Sequence, residues 1–582
     1  MMVVDVLFPI ALRFNLSYRI TENVTIGSFV CAPIGSRTFL GIVVAIHQSS
    51  ELESGLKHIT SIEGDLIPIS PKRIELWRWI SEYYLCTLGE VMKAATLSKP
   101  PRQSKLCTNQ EPAPFSLPPL TPELTKVFQS INLDGVTLLK GAQGRVEIYL
   151  HLLRKVLLSG KNVLLLTPEI GSGDQLFRLF KELLGHCISL LHSRLTPVQR
   201  LKVVQTIAEQ KEPMLIIGMR SALLLADMQY FGLIIIDDEH DFSYKQIDPA
   251  PRFHARDMAL FVGRHYQIPV ILGTSCPSLE SEYNVRMGKF HIVCLNQSTC
   301  SQPNIEIVDT LRLRKKKQMN GSFSQLLLHA LEHNLTLRKQ ALFFTHRCAQ
   351  LQEELHTLLP QVRIARLDES HHPAAIQKII TQLKNREIDL IIGIQTIYTS
   401  IDWGNIGIVA IFDADRQLSR SDFRAHERTY QILTTILGNL KKILHKSAIR
   451  VIVQTEQSDH PFYRYLQACD SEAFVWEQLR ERKEYQYPPF VRLIALRFKH
   501  ANPETVLHTA LQFKQELFEM DITTVTGPFT PWLNQEVKLH TQLLWIHLQR
   551  QSDGITLKRR IFGKVLAYKF PKGFVQVDVD PY

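Results

Sequence analysis

The stretch Phe231-Gly232-Leu233-Ile234-Ile235-Ile236-Asp237-Asp238-Glu239-His240 runs four large aliphatic residues directly into four ionisable ones. An apolar run this short reads as a strand buried on both faces, the kind that belongs to a parallel sheet covered by helices. Acidic residues at the end of such a strand fall in the crevice where open α/β folds take their ligands. In a nucleotide hydrolase one carboxylate there holds Mg²⁺ and its neighbour polarises the attacking water, so Asp237 and Asp238 are the candidate catalytic pair. A solvated turn would carry the same residues, and the rest of the chain has to decide.

Outward from this strand the pattern repeats. Thr137-Leu138-Leu139, Val163 to Leu166, Met214 to Ile217 and Val270-Ile271-Leu272 are further buried-strand runs separated by amphipathic helices. The sequence therefore predicts a doubly wound α/β lobe over residues 120–305. The pattern restarts with Leu342-Phe343-Phe344, Leu390 to Ile392, Ile408 to Phe412 and Val451 to Val453, which predicts a second α/β lobe over 306–455. Residues 1–98 hold short β-type runs (Val3 to Leu7, Phe29 to Ala32, Gly41 to Ile46) and an aromatic helix around Leu76 to Tyr84, a small β-rich domain. Residues 99–119 are rich in Pro, Ser and Gln and read as a linker. Residues 456–582 begin helically and end in β-like alternation, an α+β domain.

The composition sets bounds. In 582 residues, 67 Lys and Arg against 56 Asp and Glu leave a net charge of +11, compatible with an anionic polymer as partner and also common on ordinary soluble proteins. The longest apolar runs fall far short of the roughly 18 residues of a membrane span, and Asp5 interrupts the N-terminal apolar stretch, so neither a bilayer crossing nor a secretory signal is expected. Nine scattered cysteines without a C-x-x-C fit reduced thiols in a cytoplasmic protein, and no zinc site is expected.

Past the acidic cluster, Asp241-Phe242-Ser243-Tyr244-Lys245-Gln246 and Arg252-Phe253-His254-Ala255-Arg256-Asp257 interleave aromatics with cations. Such a pattern can stack on unpaired bases while neutralising phosphates. Phe242, Tyr244, Lys245, Arg252, Phe253 and Arg256 are thus candidate DNA-binding residues. These two segments closely resemble the D-x-S-Y-K-Q and R-[YF]-H-A-R-D motifs of the bacterial primosomal protein N′ family, the PriA replication-restart helicases. Asp422-Phe423-Arg424-Ala425-His426-Glu427-Arg428, Tyr487-Pro488-Pro489-Phe490 and Asp578-Val579-Asp580-Pro581 are similar to further motifs of that family. The resemblance implies two tandem RecA-like lobes, a superfamily 2 helicase core. It also implies an N-terminal module that captures the 3′ end of a nascent DNA strand, with pocket positions Leu16, Ser17, Gly35 and Lys57. Gly35 would let backbone approach the terminal nucleotide, and Lys57 would meet a phosphate.

The ATP-site motifs of the family are degenerate. A phosphate-cradling G-x-x-x-x-G-K-[ST] loop needs glycines for backbone N–H access, a lysine for the β and γ oxygens and a hydroxyl for Mg²⁺. The corresponding residues are Gly141-Ala142-Gln143-Gly144-Arg145-Val146, two residues short and without the Lys-Ser/Thr pair. Gly141, Gly144 and Arg145 are what remains for nucleotide. Leu124 stands where the family has an adenine-recognising glutamine, and Asp238 where it has a glutamate. Thr435 to Lys442 lacks both arginine fingers. Tyr398 to Trp403 replaces an A-K-G-x-D-F sequence. The cysteine-rich zinc module and the winged helix are missing. The expectation is a replication-restart protein that binds stalled or abandoned forks and single-stranded DNA but has lost ATP hydrolysis, with Asp237 and Asp238 vestigial. The alternatives are an active ATP- and Mg²⁺-dependent 3′-to-5′ helicase and a primosome scaffold acting through protein contacts. By resemblance the protein partners are single-strand-binding protein and the replicative helicase with its loader; no membrane is involved.

Overall fold

The computed structural model describes residues 2–48, 55–102, 117–209, 212–295, 304–368, 371, 373–393, 403–420, 422–441, 449–522, 524–531, 539–550 and 554–582. The centre of the predicted linker, Tyr398 to Asp402 and Lys442 lie outside them.

Residues 2–62 form an antiparallel sheet of β1 (Met2–Leu7), β2 (Leu16–Ile20), β3 (Phe29–Ile34), β4 (Arg37–Gln48) and β5 (Ser61–Ile62), in the order β2-β1-β4-β3-β5. β2 alternates buried with less buried residues, whereas Gly41 to Val44 of β4 are all buried, with Ile42 and Val44 in one core cluster and Val43 in another, so the middle of the sheet is covered on both faces. The helix Pro71–Tyr84 opens with Ser70 capping the Arg73 amide and Pro71 in its first turn, and it buries Ile74, Trp77 and Ile80. Arg73, itself buried, donates to the Leu224 and Leu225 carbonyls at the end of the helix Ala222–Leu225, at 2.8 and 3.1 Å, and fixes this module to the first lobe.

The first lobe is a seven-stranded parallel sheet of β6 (Val136–Lys140), β7 (Asn162–Leu166), β8 (Ile188–Leu191), β9 (Leu215–Gly218), β10 (Phe231–Asp237), β11 (Val270–Thr274) and β12 (His291–Cys294), in the order β12-β6-β11-β10-β7-β9-β8. All five residues of β7 and of β11 are buried, as helices on both faces demand. The second lobe contains β13 (Asn304–Asp309), a two-stranded ribbon of β14 (Met319–Asn320) and β15 (Phe323–Ser324), then β16 (Gln340–Phe344), β17 (Ile364–Leu367), β18 (Leu390–Gly393), β19 (Ile406–Ile411) and β20 (Arg450–Thr455). Its six-stranded parallel sheet has the order β13-β20-β19-β16-β18-β17. All nine apolar runs read from the sequence are the cores of strands in these two sheets.

A last antiparallel sheet, β22-β23-β21-β24, combines β21 (Val491–His500), β22 (Val525–Phe529), β23 (His540–Gln549) and β24 (Phe574–Val579) with the helices Pro503–Phe518 and Gly554–Ala567. Two doubly wound α/β lobes, a β-rich N-terminal module and an α+β C-terminal unit make up the fold. No helix among the described residues is long and apolar enough to cross a membrane.

Candidate functional site

β10 delivers Asp237 and Asp238 to the C-terminal edge of the first sheet, beside the start of the helix Arg145–Leu157. Arg145 reaches across this gap. Its Nε lies 2.9 Å from Asp237 Oδ1 and its Nη2 2.8 Å from Asp238 Oδ1, so one guanidinium grips both carboxylates. Tyr149, one turn further along the same helix face, donates to Asp237 Oδ1 at 2.9 Å. Gly273 on the neighbouring β11 makes room, since a methyl there would come within 1.7 Å of the Tyr149 hydroxyl. Burial pushes the Asp237 carboxyl up to about 6 against the opposing pull of Arg145. For Arg145, burial works against the charge, but the two aspartates outweigh it and raise its pKa.

The loop ahead of Arg145 is covered by apolar side chains. Gly144 has φ +79° and Gly141 φ +145°; added methyls would stand 2.5 Å from Leu124 and 2.7 Å from Leu295. Lys140, the nearest lysine in the chain, is tied to Glu282 at 2.9 Å. Across the cleft the helix Ala425–Lys441 brings Tyr430, Leu437 and Gly438 to a cavity of about 200 Å³ behind Ala142 and Gln143. A Mg²⁺–triphosphate would find here no free loop lysine, no loop hydroxyl, and an acidic pair already gripped by a guanidinium. These residues do not fit the group.

The aromatic and basic loop behaves otherwise than its pattern suggests. Tyr244 is 1% exposed and Phe253 fully buried; the Tyr244 hydroxyl lies 2.6 Å from the Asp237 carbonyl and 3.0 Å from that of Leu166. Lys245 is buried against Asp578 at 2.8 Å and donates to the carbonyls of Arg252 and Val579. Arg252 pairs with Asp248 and reaches the Val577 carbonyl. Arg256, 2% exposed, pairs with Glu239 and Asp257. Tyr244, Lys245, Phe253 and Arg256 therefore do not stack on bases or meet phosphates as expected. Their faces are used up joining the first lobe to the C-terminal strand β24 and to the ion network described below. Phe242 alone of the aromatics stays outside, 63% exposed.

Phe242 adjoins Ser243 at an open groove of about 530 Å³ on the first lobe, lined by Pro168, Glu169, Arg194, Arg220 and Ser221. Arg220 donates to the Ser243 carbonyl at 2.7 Å, and burial lowers its pKa. Arg194 is exposed and was not singled out from the sequence; it sits in no pattern of charge that would mark it.

In the N-terminal module Gly35 occupies the β3–β4 turn with φ +61°, and Lys57 Nζ donates to its carbonyl at 3.2 Å, which brings two of the four pocket positions together. Leu16 and Ser17 lie on β2, whose Arg19 amide bonds the Lys57 carbonyl. Ser17 donates to Asp5 Oδ1 at 2.7 Å, and His47 meets the other Asp5 oxygen at 2.9 Å. Asp5, the carboxylate that interrupts the apolar run Val3 to Leu7, is thus the acidic neighbour of these positions.

Between the lobes lies a buried ion network. Arg424 of the second lobe bonds Glu280 of the first at 2.7 Å, and Glu427 accepts from the Leu279 amide at 2.8 Å. Arg482 of the helix Ser471–Glu484 reaches Glu427 at 2.6 Å and Glu280 at 3.3 Å. Despite burial, Arg424, Arg482 and Arg256 hold the Glu280 carboxyl below its ordinary range. Tyr582 lays its ring 4.3 Å from the Arg424 guanidinium and donates to the His240 carbonyl at 3.2 Å. Phe423 and Tyr487 stack at 4.7 Å, joining the Asp422–Arg428 and Tyr487–Phe490 motifs.

Three family descriptions match this chain. The 3′DNA-binding domain of PriA matches residues 5–96, the helicase conserved C-terminal domain residues 323–432, and the primosomal protein N C-terminal domain residues 483–582. The replication restart protein PriA of Rickettsia felis is 28% identical over 590 residues, covering 88% of this chain and 89% of that one. That of Bacillus subtilis is 28% identical over 475 residues, 69% of this chain and 58% of the relative. A structure of RecG bound to a three-way DNA junction aligns with a TM-score of 0.42 at 13% identity, over 71% of this chain and 54% of that one. Fold and site together define a two-lobed helicase-type core carrying a 3′ DNA-binding module. The chain carries matches to the PriA 3′DNA-binding and C-terminal domains and is similar over most of its length to the replication restart proteins PriA.

Proposed function

We propose that this chain acts in replication restart as a protein that binds forked and single-stranded DNA, and that its helicase core has lost ATP turnover. The PriA relatives and the match of residues 5–96 to a 3′DNA-binding domain support the first part. The observation that carries the second is Arg145. A fork of donors spanning Asp237 and Asp238 occupies the acidic pair that a hydrolase reserves for Mg²⁺ and water. A point-charge lysine is absent from the loop, and a guanidinium cannot stand in for it without a different geometry.

DNA would run along the first-lobe groove past Arg194 and Phe242, with the strand end at Lys57 and Gly35. In this reading single-strand-binding protein and the replicative helicase with its loader are the protein partners, and any unwinding is supplied by another motor.

Steady-state hydrolysis with forked and single-stranded DNA tests the proposal. No DNA-stimulated ATPase above that of the Asp237→Ala variant is the expected result. Stimulated hydrolysis abolished by Asp237→Ala would establish a working motor and overturn it.

A further inference from the structure

At the outer edge of the first lobe, far along the sheet from β6 and the acidic pair, His186, Cys187 and Glu212 converge. One ligand atom of each lies within 4.8 Å of the other two, and this is the one such grouping among the described residues. No close cysteine spacing announces it, because Glu212 comes 26 residues after His186. The backbone brings them together. β8 and β9 pair in parallel from Ile188 and Leu215 onward, so the residues just before each strand are neighbours. The Leu215 amide bonds the Cys187 carbonyl at 2.9 Å, and the Cys187 amide bonds the Leu184 carbonyl at 3.1 Å, which pins the cysteine from both sides.

The donor set is of mixed hardness. A neutral imidazole, a thiolate and a carboxylate are the ligands a borderline divalent ion such as Zn²⁺ takes, at about 2.0 to 2.3 Å from each. Tetrahedral ligands stand about 3.3 to 3.8 Å apart at those bond lengths, a small closure from the present spread. His186 Nε2 and Glu212 Oε2 stand 2.9 Å apart as a hydrogen-bonded pair, which an ion would break and open slightly as it takes both atoms. The His186 side chain is 69% exposed, Glu212 21%, and Cys187 is 7% exposed, so an ion would enter from solvent and meet the thiol last. Nothing in the ATP site or the groove uses these three side chains.

We propose that His186, Cys187 and Glu212 form a binding site for one divalent transition-metal ion of the Zn²⁺ class, with water completing the tetrahedron. Binding forms the metal–sulfur bond and releases the thiol proton to solvent. The ion ties the turn after the helix Ile170–Leu184 to the approach of β9, and so steadies β8. The C-terminal end of β8 leads into Ser193 and Arg194 of the groove. The site is unrelated to the cysteine-rich module that the chain lacks.

The test uses the full chain, freed of metal by chelator and titrated with Co²⁺ and with Zn²⁺ alone. One Co²⁺ per chain should bind with a thiolate-to-metal charge-transfer band in the near ultraviolet, and Zn²⁺ should displace it. His186→Ala changes only an exposed side chain, leaves the fold intact, and should weaken Zn²⁺ binding by at least about tenfold. Cys187→Ser should abolish the charge-transfer band. Absence of the band, or stoichiometric binding that survives both substitutions, would show an ordinary surface ion pair beside a buried thiol and overturn the proposal.

Discussion

Arg145 carries donors on separate nitrogens in one plane, and this holds two carboxylates in a fixed relative geometry that the single nitrogen of an ammonium does not impose. Removing it leaves the buried Asp237 and the half-buried Asp238 facing each other without a counter-charge. Arg145→Ala should therefore cost about 3 kcal/mol in a denaturant melt without conferring hydrolysis, and Arg145→Lys should recover only part of the loss. Two neighbours set opposite pH trends. Asp237 has its folded pKa raised to about 6, so from about pH 4 to pH 6 the folded chain holds a proton that the unfolded chain has released, and stability falls as pH rises. Asp237→Asn should flatten that part of the profile. His254 is buried, and neither ring nitrogen has a hydrogen-bond partner among the described residues. Burial, then Arg256, Lys245 and Arg424, hold its folded pKa well below 6.5. Below pH 6.5 the unfolded chain takes up the proton first, so this group makes stability fall as pH falls. His254→Phe should move the acid limb of the melting curve to lower pH, and an unchanged limb would remove His254 as its source.

At the scale of elements, the two lobes and the helix Ser471–Glu484 meet through three arginines and three glutamates beside a small apolar contact of Leu279 with Val475 and Leu479. Such an arrangement contributes less to net stability than to uniqueness, because every charge taken from water must find its partner. Breaking one partner exposes the asymmetry. Glu427→Ala should cost about 3 kcal/mol by removing the shorter of the two ion pairs of the buried Arg482 and leaving it Glu280 at 3.3 Å. In a double-mutant cycle with Arg482→Ala the second substitution should cost far less than it does alone; additive losses would mean that the two do not act together. These elements also show where sequence was legible. Apolar runs such as Val163 to Leu166 announce a strand because burial on both faces admits nothing else. The loop Phe242 to Arg256 does not disclose its destination, since an aromatic next to a cation is equally suited to a stacked base and to a buried ion pair. What decides is the partner, and Asp578 lies 333 positions from Lys245 in the chain. That the loop Gly141 to Gly144 carries no lysine is readable in the sequence because it is a local fact. That Arg145 turns inward onto Asp237 and Asp238 is not, since it depends on how β10 and the helix Arg145–Leu157 pack.

Over the whole molecule, the N-terminal module and the first lobe are one mechanical unit. Arg73 bridges them, Trp79 stacks on Phe261 at 3.5 Å, and the C-terminal Asp580 accepts from Tyr83 at 2.6 Å. A strand end held near Lys57 and a strand lying along Phe242 and Arg194 would then be fixed relative to each other without nucleotide. Two consequences follow for fork binding. Affinity should fall steeply with salt, because each phosphate neutralised releases counterions, and Lys57→Ala or Arg194→Ala should each lower the log–log slope by about 0.7 to 0.9 if that residue meets one phosphate. Phe242→Ala should weaken single-strand binding by about 1 to 3 kcal/mol with the salt slope unchanged, since stacking involves no counterion. A flat salt dependence would favour a scaffold that works through protein contacts. Mg·ATP should leave the fork affinity within about twofold, because a ligand shifts an equilibrium only by its differential affinity for the two states. A working motor would instead show distinct affinities in its apo, ATP and ADP forms, so the same titration repeated in three nucleotide conditions distinguishes a static fork-binding shell from an engine.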